Sequence, residues 1–189
     1  MVSILNENEQ FVFAQRLGIV KKATSGLKAL HDQGIVHKDF KPSNLLICGT
    51  ADRVVVKVAD FDDMYDIKGT ITSTLTNMNQ GLFGMTLAYT AAEICLQQVR
   101  TVSLATDVYS WAIAVFELFA DVTSPWSSAL SIVSDGLIVE ALKKGMRPHV
   151  EDLQQLYAKN KCNFILPIIS SAWHTDQHKR PTISQFVLL

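Results

Sequence analysis

The chain has 189 residues, 48% of them hydrophobic, and a formal net charge of −1 at pH 7. This length and hydrophobic content allow a sizeable core, so disorder is not the expected state. The 17 basic and 18 acidic residues are scattered, which gives no electrostatic footprint for nucleic acid or for an anionic membrane surface.

The N-terminal part of the chain predicts a long amphipathic helix followed by a small hairpin. Asn6 and Glu9 have the spacing of a capping box, and apolar residues from Phe13 to Leu30 recur at helical intervals, so this helix should end near Gly34. The runs NLLIC and RVVVKVADF, separated by GTAD, then indicate two strands of a hairpin.

The remainder of the chain predicts one long loop and several helices. Residues 69–92 contain no charged side chain and have no clear period, which favours a long surface loop. The short piece AAEICLQQ follows it, and residues 104–120 form a helix that is apolar on nearly every side and therefore buried. Further helices are predicted around 136–144, 161–173 and 182–189, and no repeat or linker divides the chain into domains.

The cysteines and the apolar runs indicate where such a protein resides. Cys48, Cys95 and Cys162 lie far apart, without zinc-finger spacing, so neither a disulfide framework nor a zinc site is indicated. The longest dense apolar run, VYSWAIAVFELFADV, is shorter than a membrane span and contains Glu117. We therefore expect a soluble, cytoplasmic protein.

The polar segment IVHKDFKPSNLLI, residues 35–47, contains the residues that predict chemistry. Asp39 could accept a proton, Lys41 could neutralise a negative oxygen, and Asn44 could offer its carbonyl oxygen to a hard cation such as magnesium. A hairpin would bring Asp60, at the end of its second strand, close to Asn44. The two could then share a metal with Asp39 in front of it, which suits transfer of a phosphoryl group to a hydroxyl.

These segments resemble the motifs of protein kinases, in the right order and with the right spacing. VHKDFKPSN resembles the catalytic loop H-R-D-L-x-x-x-N, and KVADFD resembles the strand that leads into D-F-G. GMTLAYTAAEI is similar to the end of the activation segment, TDVYSWAIAVFEL to the buried helix after it, and AWHTDQHKRPTISQF to the closing segment with its arginine. Together they cover essentially the whole chain, with KPSN similar to the serine/threonine type and RPT to tyrosine-kinase-like members.

The resemblance implies a role for each residue of the candidate site. Asp39 would be the catalytic base, Lys41 would contact the transferred phosphate of ATP, and Asn44 and Asp60 would hold Mg²⁺. Thr86 would lie in the loop that receives the substrate residue.

The resemblance also implies supporting residues and a fold. His37 would support the metal-binding aspartate, Asp107 would anchor the catalytic loop, and Glu93 would form a buried ion pair with Arg180. The expected fold is mainly α (α+β): a protein-kinase-like C-terminal lobe built as a helical bundle around the buried helix at about 104–120. A small β-hairpin would carry the catalytic and metal-binding loops.

Several departures from the family pattern are visible. No two glycines stand two positions apart, so the glycine-rich loop G-x-G-x-x-G is missing, and residues 1–189 are expected to be an incomplete kinase domain without the ATP-binding N-terminal lobe. Lys38 replaces the usual arginine, Asp62 replaces the glycine of D-F-G, and Ala92 replaces the proline of A-P-E. Asp62 places a side chain where a flexible backbone is usual.

Two main interpretations of function therefore stay open. In the first, the complete protein is a serine/threonine kinase that uses ATP and Mg²⁺ and has proteins as substrates. In the second, it is a pseudokinase or a protein-docking module without catalysis. A truncated gene product is a third interpretation, and no nucleic-acid or membrane partner is expected.

Overall fold

A computed structural model describes residues 7–49, 54–68, 85–122, 124–127, 129–149, 153 and 164–187. Within these ranges the chain is mainly helical and carries two small antiparallel sheets. No helix in these ranges is both long and apolar enough to cross a membrane. The helices are α1 (Glu7–Gln33), α2 (Ala92–Cys95), α3 (Leu104–Ala120), α4 (Asp135–Lys143) and α5 (Ile165–Ala172); the strands are β1 (Ile35–Val36), β2 (Leu45–Cys48), β3 (Val55–Val58) and β4 (Tyr65–Asp66).

Helix α1 confirms the prediction of a long amphipathic N-terminal helix. Val20 and Leu27 are buried in the core, as their spacing predicted. The helix ends before Gly34, which has a φ of +79°, a left-handed conformation that glycine adopts without the steric cost of a Cβ atom. The predicted capping residue Asn6 lies outside the described residues.

The predicted hairpin is also present, with a shorter second strand than expected. Strand β2 pairs antiparallel with β3, and Leu45 lies opposite Val58. Because β3 ends at Val58, Asp60 lies two residues beyond the ladder rather than at its last position. Strand β3 approaches the backbone of α1 closely at Gly26, where an added Cβ atom would lie 2.8 Å from a methyl carbon of Val58.

A second sheet, made of two strands of two residues each, was not predicted from the sequence. Strand β1 pairs antiparallel with β4, placing Val36 opposite Tyr65. The pairing continues with a hydrogen bond from the Ile67 amide to the Gly34 carbonyl, at 3.0 Å. This pairing brings the chain that follows Asp60 back to the start of the loop after β1. The loop after β1 and the segment around Asp60 are therefore each held by a strand pair at both of their ends.

Helix α3 lies at the centre of the hydrophobic core, as predicted. The side chains of Trp111, Phe116 and Phe119 are fully buried. The Trp111 indole donates a hydrogen bond to the Thr24 hydroxyl of α1 at 2.9 Å and stacks on Phe186 with ring centroids 4.7 Å apart. The core therefore joins the first helix, the central helix and the C-terminal segment.

The C-terminal helices differ from the prediction in extent and type. Helix α4 agrees with the expected 136–144. Helix α5 covers 165–172 of the expected 161–173, of which residues 161–163 lie outside the described residues. In the described part of the helix predicted at 182–189, which ends at residue 187, there is instead a single 3₁₀ turn, Ile183–Phe186. One turn is enough to bury both Ile183 and Phe186, so packing requires no longer helix here.

The prediction of a surface loop at 69–92 is wrong at the C-terminal end of that range. Residues 69–84 lie outside the described residues. The described part contains a 3₁₀ turn, Leu87–Tyr89, and the next three residues, Thr90, Ala91 and Ala92, are buried. The lack of charge at this end therefore reflects burial and not exposure of polar uncharged residues.

Candidate functional site

The polar loop after β1 is held in place from the core by Asp107. This buried carboxylate, in the first turn of α3, accepts the backbone amide of His37 at 2.7 Å and that of Lys38 at 3.0 Å. The His31 ring lies 3.0 Å from the same carboxylate. The position also suits a negative charge, because the N-terminal end of a helix dipole is positive. The anchor fixes the loop where Lys38 adopts a φ of +73°.

The carboxylate of Asp39 accepts hydrogen bonds from three other residues. Its Oδ1 accepts the backbone N–H of Thr86 at 2.8 Å, and its Oδ2 accepts Lys41 Nζ at 2.5 Å. Lys41 Nζ also donates to the Thr86 hydroxyl at 2.5 Å. The structure therefore brings Asp39, Lys41 and Thr86 into direct contact, although Thr86 is 47 residues away from Asp39.

These contacts decide the charge state of Asp39. Burial alone would raise the pKa of its carboxyl, but the hydrogen bonds from Lys41 and Thr86 outweigh burial and hold the pKa below the ordinary value of 3.8. Asp39 is therefore an ionised, largely buried carboxylate at neutral pH, available to accept a proton.

Asn44 connects the loop to the hairpin. Its Nδ2 donates to the backbone carbonyl of Asp39 at 2.8 Å and to Asp39 Oδ2 at 3.2 Å. Its own backbone carbonyl accepts the amide of Ala59 at 2.9 Å, which places Asp60 one residue from this contact. The structure thus brings Asn44 and Asp60 to the same end of the hairpin without joining their side chains by a hydrogen bond.

Asp60 differs from the other site residues because it is exposed. It has a φ of +66°, a left-handed conformation that aspartate and asparagine tolerate better than most residues. The His37 ring holds the preceding residue, since His37 Nε2 lies 2.9 Å from the Ala59 carbonyl oxygen and must be protonated to bond it. Within the described part of the chain, the Asp60 carboxylate forms no ion pair.

The donor set of Asn44 and Asp60 fits a magnesium ion that also binds a phosphate-bearing ligand. The described ranges contain no group of three or more His, Cys, Asp or Glu side chains arranged for a metal. Mg²⁺ does not require one, since it is commonly bound by one or two protein oxygens together with substrate phosphates and water. Because Asn44 Nδ2 is engaged by Asp39, the amide oxygen is the atom left for a cation.

Asp62, the departure from D-F-G, lies in a turn just after Asp60. Its backbone does not adopt the left-handed conformation in which a side chain is costly. A turn forms around it, closed by a hydrogen bond from the Met64 amide to the Phe61 carbonyl at 3.4 Å. In this structure the aspartate therefore costs no backbone strain.

Glu93 and Arg180 form a buried, bidentate ion pair away from the loop. The two guanidinium nitrogens lie 2.7 and 2.6 Å from the two carboxylate oxygens, and the remaining donors reach the carbonyls of His174 and Ala105. Such a pair has both charges satisfied, so it fixes α2 against the closing segment.

Sequence reasoning assigned no role to two groups beside the site, Tyr89 and His31. The Tyr89 hydroxyl donates to Glu117 Oε2 at 2.5 Å, and both side chains are partly buried. The one available signal was a carboxylate, Glu117, in the mostly apolar C-terminal half of α3. His31 has no sequence signal, because its partner Asp107 is 76 residues away.

Comparison with known proteins adds independent information. A family model described as protein kinase domain matches residues 2–188. A putative serine/threonine-protein kinase/receptor of Acanthamoeba polyphaga mimivirus is 29% identical over 175 residues, which is 93% of this chain and 10% of that protein. The RGS domain-containing serine/threonine-protein kinase A of Dictyostelium discoideum is 28% identical over 96% of this chain and 14% of its own length. The human receptor-interacting serine/threonine-protein kinase 1 is 24% identical over 87% of this chain and 24% of its own length.

Proposed function

The chain belongs to the protein kinase family, and on that premise we propose that it carries the catalytic loop of a protein serine/threonine kinase. The proposed reaction transfers the γ-phosphoryl group of ATP to a serine or threonine hydroxyl of a protein substrate. The observation that carries the proposal is the Asp39 carboxylate, which is buried, ionised and in contact with the Lys41 ammonium group.

In the proposed mechanism, Asp39 accepts the proton of the substrate hydroxyl as its oxygen bonds to the γ-phosphorus and the bond to ADP breaks. Lys41 neutralises negative charge on the transferred group, and its bond to the Thr86 hydroxyl keeps the ammonium group beside Asp39. Mg²⁺, held by Asn44 and Asp60, would supply positive charge to the phosphate oxygens. The carboxylate is already ionised at neutral pH, so the base needs no prior deprotonation.

We further propose that residues 1–189 form the C-terminal lobe of the domain, with the glycine-rich lobe supplied from outside them. Leu46 and Ile47 on the hairpin support this proposal, because 53 and 54% of their surfaces are exposed although both are large and apolar. The chain spans only 10 to 24% of the length of the three relatives described above. The activity and the substrates of the whole protein therefore belong to the proposal.

The test compares full-length protein containing these residues with its Asp39→Asn variant in a phosphate-transfer assay on a serine/threonine peptide. We expect the variant to lose about 10²- to 10⁴-fold in kcat, the usual contribution of a positioned base. Asp32→Asn is the matched control, since the Asp32 side chain is exposed on α1 and its carboxylate pairs only with Lys28 among the described residues. Equal activity of wild type and Asp39→Asn would refute the catalytic proposal.

A second candidate function, protein docking without phosphoryl transfer, is favoured by the exposed Leu46 and Ile47. On this interpretation Asp39 serves only to hold Thr86 and Lys41 together. The same assay separates the two functions, because a docking module would show no Asp39-dependent transfer and no Mg²⁺-dependent binding of ATP.

A further inference from the structure

The segment Asp60–Lys68 begins with the proposed metal ligand and is held differently at its two ends. At its first end, the Ala59 amide donates to the Asn44 carbonyl at 2.9 Å, directly beside the β2–β3 ladder. At its other end, β1 and β4 pair over only two residues, and the Ile67 amide adds a hydrogen bond to the Gly34 carbonyl. A ladder this short is not stable by itself, so further contacts must hold this end.

Lys68 provides such a contact with the C-terminal end of α1. Its Nζ donates to the backbone carbonyl of Asp32 at 3.2 Å, in the last turn of the helix. The last carbonyls of a helix have no partner within it and form the negative end of the helix dipole, so an ammonium group is favourable there. The Lys68 amide also donates to Asp66 Oδ1 at 2.8 Å, which fixes the backbone from which the side chain leaves.

Gly34 leaves the space in which the Lys68 side chain lies. A Cβ atom added at Gly34 would lie 2.7 Å from Cε of Lys68 and 2.8 Å from both its Cδ and its Cγ. The lysine stem therefore lies directly against the glycine backbone. The φ of +79° at Gly34 is one that asparagine also tolerates, but an asparagine side chain would displace Lys68. Glycine at this position thus serves the lysine as well as the backbone.

We propose that Lys68 is a positioning residue for Asp60: together with Gly34 it forms a latch that fastens the segment carrying Asp60 to the end of α1. Asp60 is exposed and forms no ion pair within the described ranges, so the backbone on either side of it sets where its carboxylate lies. A turn closed by the Met64 amide and the Phe61 carbonyl shortens the path between the latch and Asp60.

The latch lies at the surface and does not take part in the reaction. Lys68 is exposed, and neither Lys68 nor Gly34 touches the reacting atoms. The inference rests on the proposed function, in which Asp60 binds Mg²⁺. It adds to that function a contact, centred on α1, that determines how firmly the ligand is presented.

The first experiment compares Lys68→Met with Lys57→Met by amide hydrogen exchange of the full chain. Methionine keeps an unbranched stem beside Gly34 but cannot donate to Asp32. Lys57 is the matched control, since it is exposed on β3 and its side chain has no hydrogen bond or ion pair within the described ranges. We expect the Ile67 amide to exchange about fivefold faster in Lys68→Met, the net effect of one hydrogen bond, and to be unchanged in Lys57→Met. Equal exchange of Ile67 in the two variants would overturn the proposal.

The second experiment tests whether Gly34 and Lys68 act together. Gly34→Asn should speed the exchange of Ile67 about fivefold when Lys68 is present, because the new side chain displaces the lysine. In a Lys68→Ala background the same substitution should have less than about a twofold effect, since the atoms nearest to the added Cβ are then gone. Equal effects of Gly34→Asn in both backgrounds would contradict the latch.

The third experiment connects the latch to the metal. In full-length protein containing these residues, the Mg²⁺ concentration that half-saturates ATP binding should rise about threefold in Lys68→Met, less than the roughly tenfold expected for a direct partner of a ligand. Lys57→Met should need the same Mg²⁺ concentration as the wild type. Faster exchange of Ile67 with an unchanged Mg²⁺ requirement would overturn the positioning role.

The readouts fail in distinguishable ways. A wild-type protein without Mg²⁺-dependent binding of ATP refutes the proposed function, while the exchange of Ile67 still decides whether Lys68 holds the segment. A wild type that binds Mg²⁺ and ATP, with Lys68→Met unaffected in both readouts, refutes the latch and leaves the proposed function standing.

Discussion

The charged side chains on the two sides of the polar loop differ in burial and in pairing. On the side facing the core, Asp107 is buried and its carboxylate is satisfied by hydrogen bonds; the Glu93–Arg180 pair, farther from the loop, is buried and satisfied in the same way. On the side facing the hairpin, Asp60 is exposed and forms no ion pair within the described ranges. The first side stabilises the fold, and the second leaves an exposed carboxylate at the position of the proposed metal ligand.

The largest effect is expected from breaking the buried ion pair. Arg180→Met would leave Glu93 buried without its counter-charge and should lower the free energy of unfolding by about 3–5 kcal/mol. Urea unfolding followed by circular dichroism measures the loss. The double variant Glu93→Met/Arg180→Met should recover most of it, because neither charge is then left uncompensated. If Arg180→Met were as stable as the wild type, the claim that the buried charges stabilise the fold would be contradicted.

The next largest effect is expected at Asp107. Asp107→Asn keeps the shape but replaces one acceptor oxygen with an NH₂ group that faces a backbone donor, so stability should fall by about 2–3 kcal/mol. The same denaturation experiment tests this, with the exposed Asp32→Asn variant expected to change by less than about 0.5 kcal/mol. Similar losses in the two variants would contradict the anchoring role.

Acid should reveal the contribution of Asp39 to stability. Since its pKa is lower in the folded chain than the ordinary 3.8, the ionised carboxylate stabilises the fold fully above pH 3.8, and this contribution is lost as pH falls through the lower folded pKa. The difference in unfolding free energy between wild type and Asp39→Asn, measured from pH 7 down to pH 3, should therefore begin to shrink below about pH 3.8. A constant difference across that range would show that ionisation of Asp39 does not stabilise the fold.

The smallest effect on stability, with a clear effect on binding, is expected at Asp60. Asp60→Asn should change the free energy of unfolding by less than about 0.5 kcal/mol, because the side chain is exposed and asparagine tolerates the left-handed backbone. It should nevertheless abolish the Mg²⁺ dependence of ATP binding, measured by titration calorimetry. Asp60→Ala separates backbone from charge, since it adds a cost of about 1 kcal/mol for the strained φ. Unaltered Mg²⁺ dependence would exclude Asp60 as a ligand.

The sequence predicted the elements whose signals are local. Helix α3 has a continuous apolar pattern, and the hairpin has two β-branched runs, so both could be recognised without tertiary information. The pairing of β1 with β4 could not, because two-residue strands are too short to show an alternation. The 3₁₀ turn Ile183–Phe186 was predicted as a longer helix, since packing on Trp111 and not local propensity determines its length.

The same distinction applies to the site. The motif spacing indicated the residues of the loop, and the structure adds contacts over long sequence distances, such as Thr86 to Asp39 and Tyr89 to Glu117. No pattern in the sequence encodes these distances, because they depend on how the segment after residue 84 packs against α3. The catalytic roles of Asp39 and Asp60 stay predictions, which the variants described above test.

The close approach of Gly26 to Val58 has a consequence for engineering this protein. Glycine within a helix costs about 1 kcal/mol relative to alanine, so a stabilisation screen would nominate Gly26→Ala on α1. The added methyl group would clash with the stiff, β-branched side chain of Val58 and displace the β2–β3 hairpin, which precedes Asp60. A substitution far from the loop in sequence would thereby shift Asp60, the proposed metal ligand, and residue 26 should be left unchanged in any redesign.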